Sequence, residues 1–149
     1  MAVNAFLTIN GIAGSRSNGD LDLESYSWGV SNSVNPTAGG SGGGHTSLQD
    51  FSFTAQLGPQ SPKLFLAAAM GSHISQAKLF IGADRAQQAI AVVTFFEVLV
   101  STYKQALSFT ASSEGQASVP LEFVAFNFAK ITVTVGNVTE TFDARTSTS

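Results

Sequence analysis

No cysteine occurs in the 149 residues, which excludes a disulfide framework and a thiolate metal site and leaves the redox compartment unmarked. Charge is scarce as well. Charged residues make up 11% of the chain against 44% hydrophobic, so Ser, Thr, Asn, Gln and Gly must supply most of the wetted surface. A free monomer usually carries more charge, and the deficit points to a surface covered by copies of the chain or by partners. Scarce charge is also found in extracellular adhesin-like β domains, where it reflects compartment rather than assembly. The net charge is −3, with acids and bases scattered rather than in runs; nothing here attracts nucleic acid, and anionic membrane surfaces are disfavoured. Long apolar runs are missing too. The longest, 89–100, is broken by Thr94 and Glu97 and is too short to span a bilayer. Residues 1–12 hold no basic residue, no long apolar core and no cleavage site, so neither a signal peptide nor membrane insertion is expected.

What is present is organised around residues 21–53. A strand, LDLESYSWGV, leads into the loop SNSVNPTAGGSGGGH and then a second strand, TSLQDFSF. The loop's glycines let its backbone project from a rigid sheet at little steric cost, and it reads as a contact arm. Neither strand has one apolar face. Leu21 and Leu23 share a side with Ser25 and Ser27, while Tyr26 and Trp28 point the other way; Leu48 opposes Phe51 and Phe53 in the same manner. Either a bulge intervenes or both faces are partly covered.

Along the rest of the chain, Val3, Ala5, Leu7 and Ile9 alternate with polar residues as a half-buried strand. Ser61-Pro62 reads as N-cap and first helical position of a short helix, KLFLAAAM, that stops at Gly71. Its stripe of Leu64, Phe65, Ala68 and Ala69 is expected against a sheet. The long strand 89–103 is apolar on both sides and is expected to be covered by a layer on each. Gly136-Asn137 closes a terminal hairpin. About eight strands and one short flanking helix predict a mainly β, single-domain β-barrel over 1–149, frayed from about residue 144.

Few residues advertise chemistry. GGSGGGH lacks the Lys-Ser/Thr pair and following helix of a phosphate cradle. His45 and His73 have no second ligand at local spacing, and they read as ordinary polar histidines. Asp50 and Glu97 sit inside apolar strands, where a carboxylate could serve in catalysis; each is read instead as facing outward or paired with a base. No nucleophile elbow or paired carboxylates stand out. The residues predict a non-enzymatic module needing no metal and no cofactor.

A succession of segments then narrows the reading. Met1-Ala2-Val3 with Phe6-Leu7-Thr8-Ile9, the SWG at Ser27 to Gly29, the glycine-rich loop before SLQDFSFT, SPKLFLAAAMGSHISQAKL, EVLVSTY from Glu97 to Tyr103 and LEFVAFNFAKI together resemble the haemolysin-coregulated protein (Hcp) family of bacterial type VI secretion systems. The resemblance implies a barrel flanked by a helix, six copies closed into a hexameric ring, and rings stacked into a hollow tube. It further implies a contractile sheath around the tube, a spike protein at its tip and effector proteins in its lumen. Localisation would be the bacterial cytoplasm before firing and the extracellular space or a target cell after it, without a signal peptide. Within that picture the loop 32–44, with Asn32, Asn35, Pro36, Gly39, Gly40, Gly42, Gly43 and Gly44, is expected to reach a neighbouring subunit or ring. If Tyr26 and Trp28 pack inward, Ser25 and Ser27 face the opposite way and become candidate lumen-lining residues. The alternative is an extracellular β-sandwich that binds carbohydrate or a host surface through a Tyr26 and Trp28 platform.

Overall fold

The computed structural model describes residues 5–14, 16, 19–33, 45–82, 89–108 and 119–144. Its elements are β1 (Ala5–Ile9), β2 (Leu21–Asp22), β3 (Ser25–Ser33), β4 (His45–Gln56), α1 (Gln60–Met70), β5 (His73–Gly82), β6 (Ala89–Ser108), β7 (Val119–Asn127), β8 (Lys130–Val135) and β9 (Val138–Asp143). The chain is mainly β, and its described residues form one helix and nine strands, against an expectation of about eight. All nine belong to one antiparallel sheet ordered β2-β1-β5-β6-β7-β4-β3, with β8 and β9 branching from β6. The branch follows from the length of β6, 20 residues. Its first half pairs with β8 and its second with β7, while β5 takes the opposite edge as far as Leu99.

The expected barrel closure is not made by a ladder: the paired path has two ends, β2 and β3. Those ends are nearly the same piece of chain, separated by Leu23 and Glu24. The Leu23 N–H donates to the Ala5 carbonyl at 3.1 Å, and the Glu24 N–H donates to the Thr54 carbonyl at 2.8 Å. Two successive residues at the bend between β2 and β3 therefore bind β1 and then β4.

The apolar residues that change sides have local causes. From Leu23 to Tyr26 the switch falls at the break between β2 and β3. In β4 it comes from one extra residue, because Ser27 opposes Ser52 while Gly29 opposes Gln49; this bulge turns Phe51, Phe53 and Ala55 into the core, where Leu48 also leans. In β6, Val93 and Phe95 are buried on one parity and Val98 and Val100 on the other. Glu97 stands between them with φ 59°, and β5 switches beside it, from Ala77 to Ile74. The two-layer reading of this strand is thus corrected. Among the described residues its buried side changes once, and the opposite side is buried around Phe6, Phe80 and Thr94 and half-buried at Val92 and Phe96.

The core is centred on phenylalanines contributed by β4, β6 and β7. Phe51 lies 4.8 Å from Phe95 and 5.0 Å from Phe126 between ring centroids, and Phe128 lies 4.8 Å from Phe95. Such tilted pairs add about 0.5–1.5 kcal/mol each beyond their area.

Helix α1 starts earlier than the sequence suggests. Pro59 is its N-cap, and Ser61 lies within the first turn, its Oγ accepting from the Gly58 N–H at 3.1 Å. The buried line is Gln60, Ser61, Leu64 and Ala67, whereas Phe65 and Ala69, expected to be inward, are exposed. The rotation follows from what the sheet offers: a polar spot that Gln60 can bond. Gly71 ends the helix at φ 64°, donating its N–H to Ala67. The Gly136-Asn137 turn forms as expected, with Val135 opposite Val138. Ala144, expected to fray, donates its N–H to the Ala129 carbonyl at 2.8 Å; 145–149 lie outside the described residues.

Candidate functional site

The feature that the sheet builds most extensively is the outward side of β3, β4, β7 and β6. Tyr26 stacks on Phe51, centroids 6.2 Å apart, and Trp28 sets its edge against Phe95 at 6.5 Å. Both aromatics contact core phenylalanines, while Tyr26 remains exposed and Trp28 borders a shallow apolar concavity with Val30 and Leu48. Strand alternation then turns Ser25 and Ser27 outward, and both are exposed.

The ladders extend each serine into a row. Ser25 opposes Thr54, which opposes Phe123 and then Lys104; Ser27 opposes Ser52, then Ala125 and Thr102. The Ser25 and Thr54 hydroxyls are 2.7 Å apart. An extra residue in β6, Ser101, bulges onto this face, donates its hydroxyl to Asp50 Oδ2 at 2.9 Å and also reaches the Ala125 carbonyl at 3.1 Å. The small Ala125 side chain leaves room for Ser101 and Asp50 to meet across β7. The face is therefore surfaced by hydroxyls and small side chains, with Asp50 held by Ser101 and Lys104 resting its ammonium 5.4 Å above the Phe123 ring.

On the core side behind it lies a polar cluster that sequence reasoning missed. Glu122 is fully buried. It accepts from Gln60 Nε2 at 2.6 Å and from the Tyr103 hydroxyl at 2.8 Å, and no basic side chain pairs with it among the described residues. Gln105 Nε2 donates to the Tyr103 oxygen at 2.8 Å. Burial pushes the Tyr103 phenol above its ordinary value, the Gln105 contact opposes this, and the neighbouring Glu122 carboxylate reinforces it. The Gln60 carbonyl oxygen is buried without a partner. The available signal was parity: Glu122 shares its side of β7 with Val124 and Phe126, both buried.

The remaining sequence candidates separate. His73 Nε2 lies 2.8 Å from Glu97 Oε1 in an exposed pair, and Asp50 is exposed and bonded to Ser101; the two carboxylates read as outward or paired are so placed. His45 opens β4, but its side chain is not described. Asn32 is not in the loop: it stands in β3 opposite Thr46, to whose hydroxyl it donates at 3.3 Å. Asn35, Pro36, Gly39, Gly40, Gly42, Gly43 and Gly44 lie outside the described residues. Among the described residues no group of His, Asp and Glu is placed to hold a metal, and no helix is long and apolar enough to cross a membrane.

Among the described residues, fold and face together define a mainly β protein with one helix and an outward sheet face surfaced mostly by hydroxyls and small side chains. Residues 6–135 match the family described as type VI secretion system effector, Hcp, and the chain belongs to that family. Protein hcp1 of Pseudomonas aeruginosa is 35% identical over 88 residues, which are 58% of this chain and 51% of that protein; the chain spans about half the length of this curated relative. The crystal structure of Hcp1 from Salmonella typhimurium is similar at TM-score 0.76 and 25% identity over 97% of both chains. A type VI secretion system effector from Yersinia pestis shares the fold at TM-score 0.71 and 21% identity, over 93% of this chain and 98% of its own.

Proposed function

We propose that the chain is a structural tube subunit of a type VI secretion system. Six copies close into a ring, and rings stack into a hollow tube that a contractile sheath propels, a spike protein tips and effector proteins occupy. A closed barrel belongs to this reading and is supported by the bonds that Leu23 and Glu24 make in succession to β1 and β4, since closure would reduce the free sheet edges. The protein is made in the bacterial cytoplasm and leaves with the tube.

The observation that carries this reading is the outward face of β3, β4, β7 and β6. Ser25, Ser27, Ser52, Thr54 and Ser101 give it donors and acceptors with little bulk and little net field. A conduit for varied cargo needs such a lining, because strong fixed charges or large side chains would select one passenger and retain it. Scarce charge in the whole chain accords with a surface otherwise covered by neighbours.

Mass measurement at micromolar concentration tests the ring: six copies are expected, and a monodisperse monomer would refute it. Ser27→Gln tests the lining. It adds bulk to a sixfold constriction without touching the core side of β3, so rings should form while cargo retention falls. Full retention by a verified ring means that this face does not line the hole.

A further inference from the structure

The outward face of the sheet is not uniform. Where β6 and β7 run together toward Ser108 and Val119, Ala106, Leu121 and Phe123 leave a concavity of about 370 Å³, rimmed by Thr54 and Lys104. Its surface is mostly apolar and it opens along the sheet. The volume accommodates one large aliphatic or aromatic side chain, but an open dent on a sheet cannot bury most of a small molecule as ligand pockets do. An extended segment suits it better, since alternate side chains of a strand project to one side about 6.5 to 7 Å apart: one can fill the dent while the next crosses its rim.

The rim selects the charge of that neighbour. Lys104 has no carboxylate partner among the described residues and is held only by the Phe123 ring. The neighbouring carboxylates are already engaged: Glu122, which also lines the concavity, by Gln60 and Tyr103 on the core side, Asp50 by the Ser101 hydroxyl and Glu24 by Gln56 Nε2 at 3.2 Å. Beyond the dent, Ser27, Ser52 and Ala125 keep the adjoining row low, which leaves a path for a backbone to lie along.

We infer that this concavity is a peptide subsite on the cargo-facing side, taking an apolar side chain with a carboxylate two residues along an extended segment of a passenger protein. Placement inside a tube rests on the reading proposed above; the subsite itself does not. Each ring then presents six copies, and weak individual contacts add by avidity without any one being tight enough to prevent release.

The test uses the full chain and fluorescent dodecapeptides of alternating Ser and Thr with a central Leu-Ser-Glu, compared with Leu-Ser-Lys and Ser-Ser-Glu versions. The Leu-Ser-Glu peptide is expected to bind best. Lys104→Glu should weaken it about threefold, the scale of an exposed ion pair, and reverse the preference toward Leu-Ser-Lys. Ala106→Phe, which fills the dent from an exposed position, should weaken both leucine peptides on the order of tenfold, the scale of burying one leucine. Equal affinity across the peptides and variants, or no measurable binding at millimolar peptide, overturns the subsite. Mass measurement on the same samples separates the two readings: charge-dependent binding by a species that never forms rings upholds the subsite and sinks the tube, whereas rings without it do the reverse.

Discussion

Glu97 is the residue on which the path of β6 turns. At φ 59° it occupies a conformation that costs an L-residue about 1–2 kcal/mol relative to the right-handed alternative, and its exposed pairing with His73 returns no more than about 1 kcal/mol. Glu97→Gly should therefore leave the urea midpoint nearly unchanged, because relief of backbone strain offsets loss of the pair and the greater flexibility of glycine. Glu97→Val should lower stability by about 1–2 kcal/mol, since a β-branched side chain crowds the same conformation. Equal midpoints for the two variants would mean that the backbone at 97 is not the constraint. At Glu122 the expected order is different. Glu122→Gln removes an unpaired buried charge and offers an amide to the vacant Gln60 oxygen, so stability should hold or rise by about 1 kcal/mol. Glu122→Ala should cost about 2–4 kcal/mol, because it strands the Gln60 and Tyr103 donors beside a cavity.

At the scale of elements, the same cluster docks helix α1 on the sheet. Gln60 and Ser61 at the helix start face Glu122 and Tyr103, and Phe65 meets the Tyr103 ring edge at 6.3 Å. The Tyr103 phenol is raised by burial above the value near 10 that it has in the unfolded chain. The fold holds that proton when the unfolded chain has released it, so stability should be whole below about pH 10 and fall as pH rises through the folded value. Tyr103→Phe should cost about 1–2 kcal/mol at neutral pH, through the lost bond to Glu122, and should flatten the alkaline decline. A decline of the same steepness in Tyr103→Phe, followed by circular dichroism, would assign it to another group. This latch was legible in the sequence only in part. The helix was visible from its apolar run and Gly71, but its rotation was not, because Gln60 turns inward to meet a carboxylate 62 residues away as well as the nearby Gln56 carbonyl.

For the whole molecule, the glycine-rich arm, 34–44 once Asn32 and Ser33 are counted in β3, is proposed to bridge subunits or rings. Ordering its glycines costs backbone entropy that only docking can offset. Replacing 39–44 with a two-residue turn should leave the ring mass unchanged and weaken stacking of rings into tubes, as counted in negative-stain images. Undiminished tube formation would remove the arm from the stacking contact.

The sequence by itself determined a mainly β chain with one helix and the Gly136-Asn137 hairpin, and it placed Ser25 and Ser27 outward on the condition that Tyr26 and Trp28 pack inward. Each follows from local rules: alternation, the turn chemistry of glycine, and the preference of Tyr26 and Trp28 for apolar neighbours. It also registered that apolar residues change sides after Leu23 and after Leu48, leaving open a bulge or two covered faces, and it took the 89–103 strand as covered on both sides rather than as one whose buried side changes. Tertiary structure decided that these are a strand break, a one-residue bulge opposite Ser27 and Gly29, and a left-handed residue at Glu97. A bulge is a property of two strands in register, and no single strand carries that information. For the same reason the dent beside Lys104 and the buried partners of Glu122 were beyond local reading: each joins residues of β4, β6 and β7 or of α1, which meet only when the sheet folds over its phenylalanine core.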